Sequence, residues 1–367
     1  MATALVACAE EQLPVETADP VVIGAVYNTS GFQAVLDVPS LKGAQLAAAQ
    51  LTEAGRQVTL VAVEGQSDAA ALPALVGDAI MQNQDMTALI GLSDTDMVLA
   101  AAPVAIARDR VFVTSGATSP ELPGQVKGGL FLACFGDNVQ AAAAAEWAYG
   151  QKAARSALVL FDAEKTYTRL LQGYFVDRFR GLGGTISSVQ SITEGSELPD
   201  PGDVDMIFLS VETAEDAAPW VQQIRAAGYA GPIVGGDGYD AASIWAAEPE
   251  IADVYFTTHA YLGADNPNPA VGEFIEAYAK ANDGEAPGSF AALGYDAVGL
   301  VVAALEKGGI QDVAGGLQAI SGYQGVTGSI SFAGVGHIPT KGVTILKVSA
   351  GALEFVAEVV PRQVPAP

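Results

Sequence analysis

From residue 21 onward the chain alternates short runs rich in Val, Ile and Thr with longer runs rich in Ala and Leu, and this alternation constrains the fold more than any other feature. Brief β-branched runs read as strands, and the longer apolar runs read as helices. Strands are expected over 21–26, 58–63, 87–91 and 111–114, separated by helices over 40–54, 68–82 and 95–108. Ser40 is placed to cap the first helix and Gly55 to close it in a left-handed conformation. Strands joined through helices need crossover connections, so the pattern predicts a parallel sheet covered on both faces.

A second series follows Cys134. Helices are expected over 139–150, 167–180, 214–227, 271–281 and 290–307, and strands over 157–161, 185–189, 206–210, 233–234, 254–257, 329–332, 342–348 and 354–359. The fold class is therefore α/β, with two doubly wound parallel sheets. The length of 367 residues agrees with two domains, each able to bury its own core. Two such sheets predict a cleft between them, with ligands beyond the carboxyl ends of the strands.

Charge narrows the partners. There are 17 Lys and Arg against 42 Asp and Glu, a formal net charge of -25. A phosphate-binding face needs clustered cations, so nucleic acid is excluded as a partner, and so is electrostatic docking on an anionic bilayer. The longest apolar approach to a membrane span, 290–305, is interrupted by Asp296, and no span is expected.

Several chemistries lack their residues. His259 and His337 are the two histidines and belong to no metal-like cluster, and no His-Glu-x-x-His or paired Cys-x-x-Cys occurs. The first strand leads into Tyr27-Asn28-Thr29-Ser30-Gly31 rather than a Gly-x-Gly-x-x-Gly turn. Phosphate-loop and Gly-x-Ser-x-Gly signatures do not occur either. No cofactor or metal is expected, and the chain is read as a binding protein. An enzyme using two cleft carboxylates stays open as the alternative from a different class.

Cys134 reads as a small buried hydrophobe, with a disulfide to Cys8 as the alternative. Leu5-Val6-Ala7-Cys8 looks like a bacterial lipobox, whose cysteine is acylated to anchor an exported protein. Only seven residues precede Cys8, too few for a signal peptide, so either the start is truncated or the tetrad is chance. Residues 1–19 are expected outside the fold.

The post-strand loops carry small hydroxyl groups: Ser93 after the third strand, and Thr114-Ser115-Gly116-Ala117-Thr118-Ser119-Pro120 after the fourth. Hydroxyls beside exposed amides suit a carboxylate, and helix capping is the alternative reading. With these segments in view, the chain resembles the type I periplasmic binding proteins of ABC importers, in their leucine/isoleucine/valine-binding branch. The matching segments run in order: 23–31, Ala100-Ala101-Ala102-Pro103, 115–120, Cys134-Phe135, Gly235-Gly236-Asp237-Gly238-Tyr239-Asp240 and 290–297.

The resemblance implies two interleaved lobes, 21–135 with 263–332 and 136–262 with 333–361, and hinges near Gly136, Gly263 and Gly334. It implies an exported, monomeric receptor, periplasmic or lipid-anchored through Cys8, that closes on a free amino acid, branched or aliphatic, and delivers it to an ABC permease. Ser93, Gly116, Ala117 and Thr118 match the loops that hold the ligand carboxylate, with the Gly116 carbonyl on the ammonium. Asp237 matches the acid that pairs with the ammonium from the other lobe, and Tyr167 the tyrosine that closes over the ligand. Gln33, Phe32, Tyr239, His259 and Tyr261 are further candidates around the pocket; Asp240 is expected to cap a helix and Asp296 to bond locally. A receptor for an amide, urea or an aromatic acid is the second reading.

Overall fold

A computed structural model describes residues 20–193 and 195–367; Cys8 and its tetrad lie outside the described residues. The first lobe is built from β1 (Val21–Asn28), α1 (Ala34–Glu53), β2 (Val58–Gly65), α2 (Leu72–Gln82), β3 (Met86–Gly91), α3 (Thr95–Ile106), β4 (Val111–Thr114), α4 (Leu122–Gln125) and β5 (Leu130–Leu132). Its strands form a wholly parallel sheet in the order β2-β1-β3-β4-β5. Strand side chains alternate between faces. Ile23, Ala25 and Tyr27 accordingly enter one apolar core, and Val22 and Val26 enter the other.

The second lobe begins with α5 (Asp137–Gln151), β6 (Ser156–Asp162), α6 (Thr166–Gly181), β7 (Thr185–Ile192), β8 (Met206–Ser210), α7 (Ala214–Ala226), β9 (Ile233–Gly235), a single 3₁₀ turn (Asp237–Tyr239), α8 (Ala242–Ala246) and β10 (Ala252–Thr258). The chain then adds α9 (Pro269–Ala281), α10 (Ser289–Gly308), α11 (Val313–Gln318) and the hairpin of β11 (Tyr323–Gly325) and β12 (Gly328–Ile330). Of these, α10, α11 and β12 pack on the first sheet. It returns through β13 (Val343–Ser349) and β14 (Ala352–Val359) to a seven-stranded sheet ordered β14-β13-β10-β9-β8-β6-β7. Three segments, 133–136, 259–268 and 331–342, thus join the two lobes.

Four differences from the sequence expectations have plain causes. α1 starts six residues before Ser40 because the helix runs through Pro39; Ser40 is buried inside it and donates to Ser115 Oγ at 3.1 Å instead of capping. β13 pairs antiparallel with β10 and β14, so the second sheet carries an antiparallel edge on a parallel core. Ala350 and Gly351 make the hairpin turn, both with positive φ (48° and 81°), as a two-residue turn of the primed type requires. Asp296 bonds far along the chain rather than locally, accepting from Val326 N (2.8 Å), Thr327 N (2.9 Å) and Thr327 Oγ1 (2.6 Å). Of the expected hinge glycines, Gly334 alone has a left-handed φ, +82°; Gly136 is extended at φ -88°.

α10 is long and apolar enough to cross a membrane, but 78% of its most apolar window is buried within the fold. It is the central helix of the first lobe and crosses α1 at very short range. A Cβ on Gly294 of α10 would overlap the Ser40 carbonyl, and one on Gly43 of α1 would overlap the Ala291 carbonyl. A buried lysine ties two of the lobe-joining segments. Lys341 Nζ donates to Ala133 O at 3.1 Å and to Thr327 Oγ1, which in turn donates to Asp296.

Candidate functional site

The carboxyl ends of strands from both sheets converge on a narrow cavity between the lobes, with free space of only about 10 Å3. Gln33, Leu36, Ser93, Asp94, Thr95, Gly116, Thr118 and Phe290 line it from the first lobe, and Tyr167, Glu212, Asp237 and Gly238 from the second.

On the first lobe, β3 ends in a turn at Gly91 (φ +130°) and Leu92 (φ +58°), a conformation rare for leucine, that sets Ser93 at the wall. The Leu92 carbonyl accepts from Thr114 Oγ1 (2.8 Å) and Gly116 N (3.3 Å), which locks the two hydroxyl-bearing loops together. Ser93 Oγ is buried without a hydrogen bond. Burial, the larger effect, pushes the Asp37 carboxyl up to about 7, while Ser93 stands near enough to pull it down. Neither Ser93 nor Thr118 caps a helix: Asp94 caps α3, accepting from Met97 N at 2.8 Å, and Glu121 precedes α4. A buried hydroxyl without a partner, at the amino end of α3, suits a ligand anion. Gly116 has to be glycine here, since a Cβ would press on both Ser93 Oγ and the Phe290 ring at 2.8 Å.

On the second lobe, Asp237 follows β9 and is 2% exposed. Its Oδ1 accepts from Tyr167 Oη (2.9 Å) and Gln140 Nε2 (2.7 Å), and its Oδ2 faces His259 Nε2 at 2.9 Å. Burial lowers the His259 pKa, against the pull of Asp237, so the imidazole is neutral and donates from Nε2. Burial likewise raises the Tyr167 phenol, which keeps its proton. Asp237 therefore has neutral donors on three of its roughly four acceptor sites and no cation in contact.

The structure brings Gln33, Ser93, Gly116, Thr118, Tyr167 and Asp237 together around one cavity. Five candidates lie elsewhere. Ala117 is held behind the wall by its own N–H to Thr114 Oγ1 (3.0 Å) and by the Cys134 thiol on its carbonyl (3.3 Å). Tyr239 is fully buried in the second lobe's core, donating to Leu209 O at 2.7 Å. Phe32 sits at the mouth, 44% exposed, under the Lys165 ammonium. His259 stands one layer back, stacked on Phe135 and reaching the cavity through Asp237. Tyr261 bonds Asp265 (2.6 Å), away from the cavity, and Asp240 accepts from Thr258 Oγ1 instead of capping its own helix. Asp94 and Glu212 were not anticipated, although each follows a strand end as Asp237 does.

Many acids here are buried. Burial raises the carboxyls of Asp94, Glu212, Asp240 and Asp296, and lifts Asp37 to about 7 and Asp137 to about 8. Unfolded, such acids release their protons near pH 4. Above that pH the folded state binds more protons, so stability falls as pH rises toward about 8. His259, lowered in the fold, acts oppositely only below its unfolded value of 6.5. Chemical denaturation without ligand should thus give a lower midpoint at pH 8 than at pH 6.5; an equal or higher one contradicts the assignment.

A polar cavity closed from two sides by separate α/β lobes, with an anion-seeking wall opposite an acid lacking a cation, is the architecture of a two-lobed solute receptor. The chain belongs to the periplasmic binding protein family, whose model matches residues 20–352. Its fold is similar to that of the leucine-binding protein LivK of Thermotoga maritima, with 26% identity and a TM-score of 0.82 over 93% of this chain and 99% of that one. It is also similar to the branched-chain amino acid substrate-binding protein LivJ of Streptococcus pneumoniae, solved with isoleucine, at 24% identity and a TM-score of 0.82 over 93% and 99%. A solute-binding protein of Rhodopseudomonas palustris, solved with benzoate, shares the fold at 17% identity and a TM-score of 0.78 over 95% and 98%. No curated protein matches significantly in sequence. The family and fold are those of solute-binding receptors of ABC transporters, with an extracytoplasmic location.

Proposed function

We propose that this protein is the receptor of an ABC importer for a free α-amino acid. The hydroxyl loops at Ser93, Gly116 and Thr118 take the carboxylate, and Asp237 takes the ammonium as the lobes close about the segments 133–136, 259–268 and 331–342. The observation that carries this reading is the setting of Asp237: a buried acid, donated to by a neutral phenol, amide and imidazole, with one acceptor site left for a cation. Burying a carboxylate without a cation is costly, and a ligand ammonium removes that cost. The ligand contacts on opposite lobes make binding and closure one event.

A thermal-shift panel of amino acids, amides, urea and aromatic acids tests this. A ligand present at about 100 times its Kd stabilises a fold by ~2.7 kcal/mol. If amides or aromatic acids raise the Tm and no amino acid does, the amino-acid reading is wrong. Monomeric delivery to a permease and anchoring through Cys8 belong to the same proposal. Cys8→Ser in cells should move the protein from the membrane fraction to the soluble one, and an unchanged distribution rules out the anchor.

A further inference from the structure

Outside the proposed carboxylate and ammonium anchors, the cavity lining is not the apolar one a branched aliphatic group would require. Leu36 and Phe290 cover part of it, and the remainder is Gln33, Asp94, Thr95 and Glu212. Gln33 is fully buried; its Nε2 donates to Glu212 Oε1 at 2.6 Å, which leaves its Oε1 acceptor without a partner. The backbone holds this glutamine in place, with Gln33 N donating to Ser67 Oγ at 3.0 Å. Thr95 Oγ1 is also buried and unpartnered.

The charge count is uneven. Asp94 of the first lobe and Glu212 of the second are 4% and 5% exposed. Among the described residues, Lys165 alone supplies a cation there, at 3.0 Å from Glu212 Oε2, and its ammonium also lies over the exposed Phe32 ring. The neighbouring titratable groups, Asp96 on α3 and Asp37 on α1, are acids and add no positive charge. One positive charge is missing where unpartnered oxygens face the cavity.

We propose that the ligand's side chain ends in a cation, an ammonium or guanidinium, held between Asp94 and Glu212 with Gln33 Oε1 as a further acceptor. The ligand class is then a basic amino acid. This rests on the amino-acid reading above. Without ligand, burial raises both carboxyls, helped by repulsion from Asp96 at Asp94 and from Asp94 at Glu212, and the hydrogen bond between the two carboxyls holds a proton that the ligand cation displaces.

Isothermal titration of the full chain with arginine, lysine, glutamine and leucine decides it. Arginine or lysine should bind at least tenfold more tightly than leucine, release a proton, and gain affinity between pH 6 and 8. Glu212→Gln and Asp94→Asn, each checked for cooperative unfolding, should cut the preference for arginine over leucine at least tenfold. Leucine or glutamine binding as tightly as the basic residues, or either variant weakening every ligand by the same factor, overturns the cationic assignment while leaving the amino-acid reading intact. Binding of no amino acid at all overturns both.

Discussion

Replacing Asp237 with alanine is expected to weaken amino-acid binding by at least a hundredfold while the protein still folds. Removing one partner of a buried charge pair costs about 3–5 kcal/mol, because the other charge stays buried and uncompensated. That corresponds to roughly two to four orders of magnitude in Kd. The substitution also strands the Tyr167 hydroxyl and the Gln140 amide, which now donate to Asp237 Oδ1. Asp237→Asn separates the two effects: it keeps the shape and removes the charge. Both variants should lose binding in calorimetric titration, and Tyr167→Phe should lose much less. An affinity unchanged in Asp237→Asn would remove the ammonium contact.

Gly294→Ala is expected to destabilise the first lobe by roughly 2–4 kcal/mol, although alanine favours a helix over glycine by about 1 kcal/mol. The added carbon would overlap the Ser40 carbonyl oxygen, a backbone atom that moves only if α1 moves. Gly43→Ala meets the Ala291 carbonyl in the same way. Gly173 of α6 and Gly272 of α9 have open space around their Cβ positions. There the same substitution should stabilise by about 0.5–1 kcal/mol through helix propensity alone. Denaturation midpoints of the four variants check the contrast; destabilisation of equal size in all of them would show that helix contact is not the cause.

The parallel sheets, and most of their strands to within two residues, are legible in the sequence because β-branched runs and Ala-rich runs differ in composition as well as length. β8 lies where the pattern puts it, at Met206–Ser210. The short elements α8, α11 and β11 are not legible, since each is too brief or too glycine-rich to show a period. Strand direction is equally hidden. The apolar run of β13 reads the same whether its neighbours are parallel or antiparallel, and only the two-residue turn at Ala350 and Gly351 marks the hairpin.

The site divides in a similar way. The loops after β3 and β4 are legible as ligand-facing, because each places small hydroxyl residues just beyond a strand, whereas the loop after β9 enters through the resemblance alone. Glu212 occupies the same kind of position after β8, but it is not a small hydroxyl residue and the resemblance, which singles out Asp237, does not extend to it. Tyr239 and Ala117 were drawn in by their sequence neighbours, Asp237 and Thr118. Adjacent residues in a tight loop point in different directions, and here each of them turns into a core.

The seating of the two anchors on separate lobes has a kinetic consequence. On the proposed reading, a solute arriving at an open receptor would meet Ser93, Gly116 and Thr118 on the first lobe before Asp237, which lines the same cavity from the second. Substitutions on the first wall should therefore act on the rate of capture, and those around Asp237 on how long the captured solute stays. Residence time, set by the second lobe, would then govern whether the loaded receptor survives the journey to its permease.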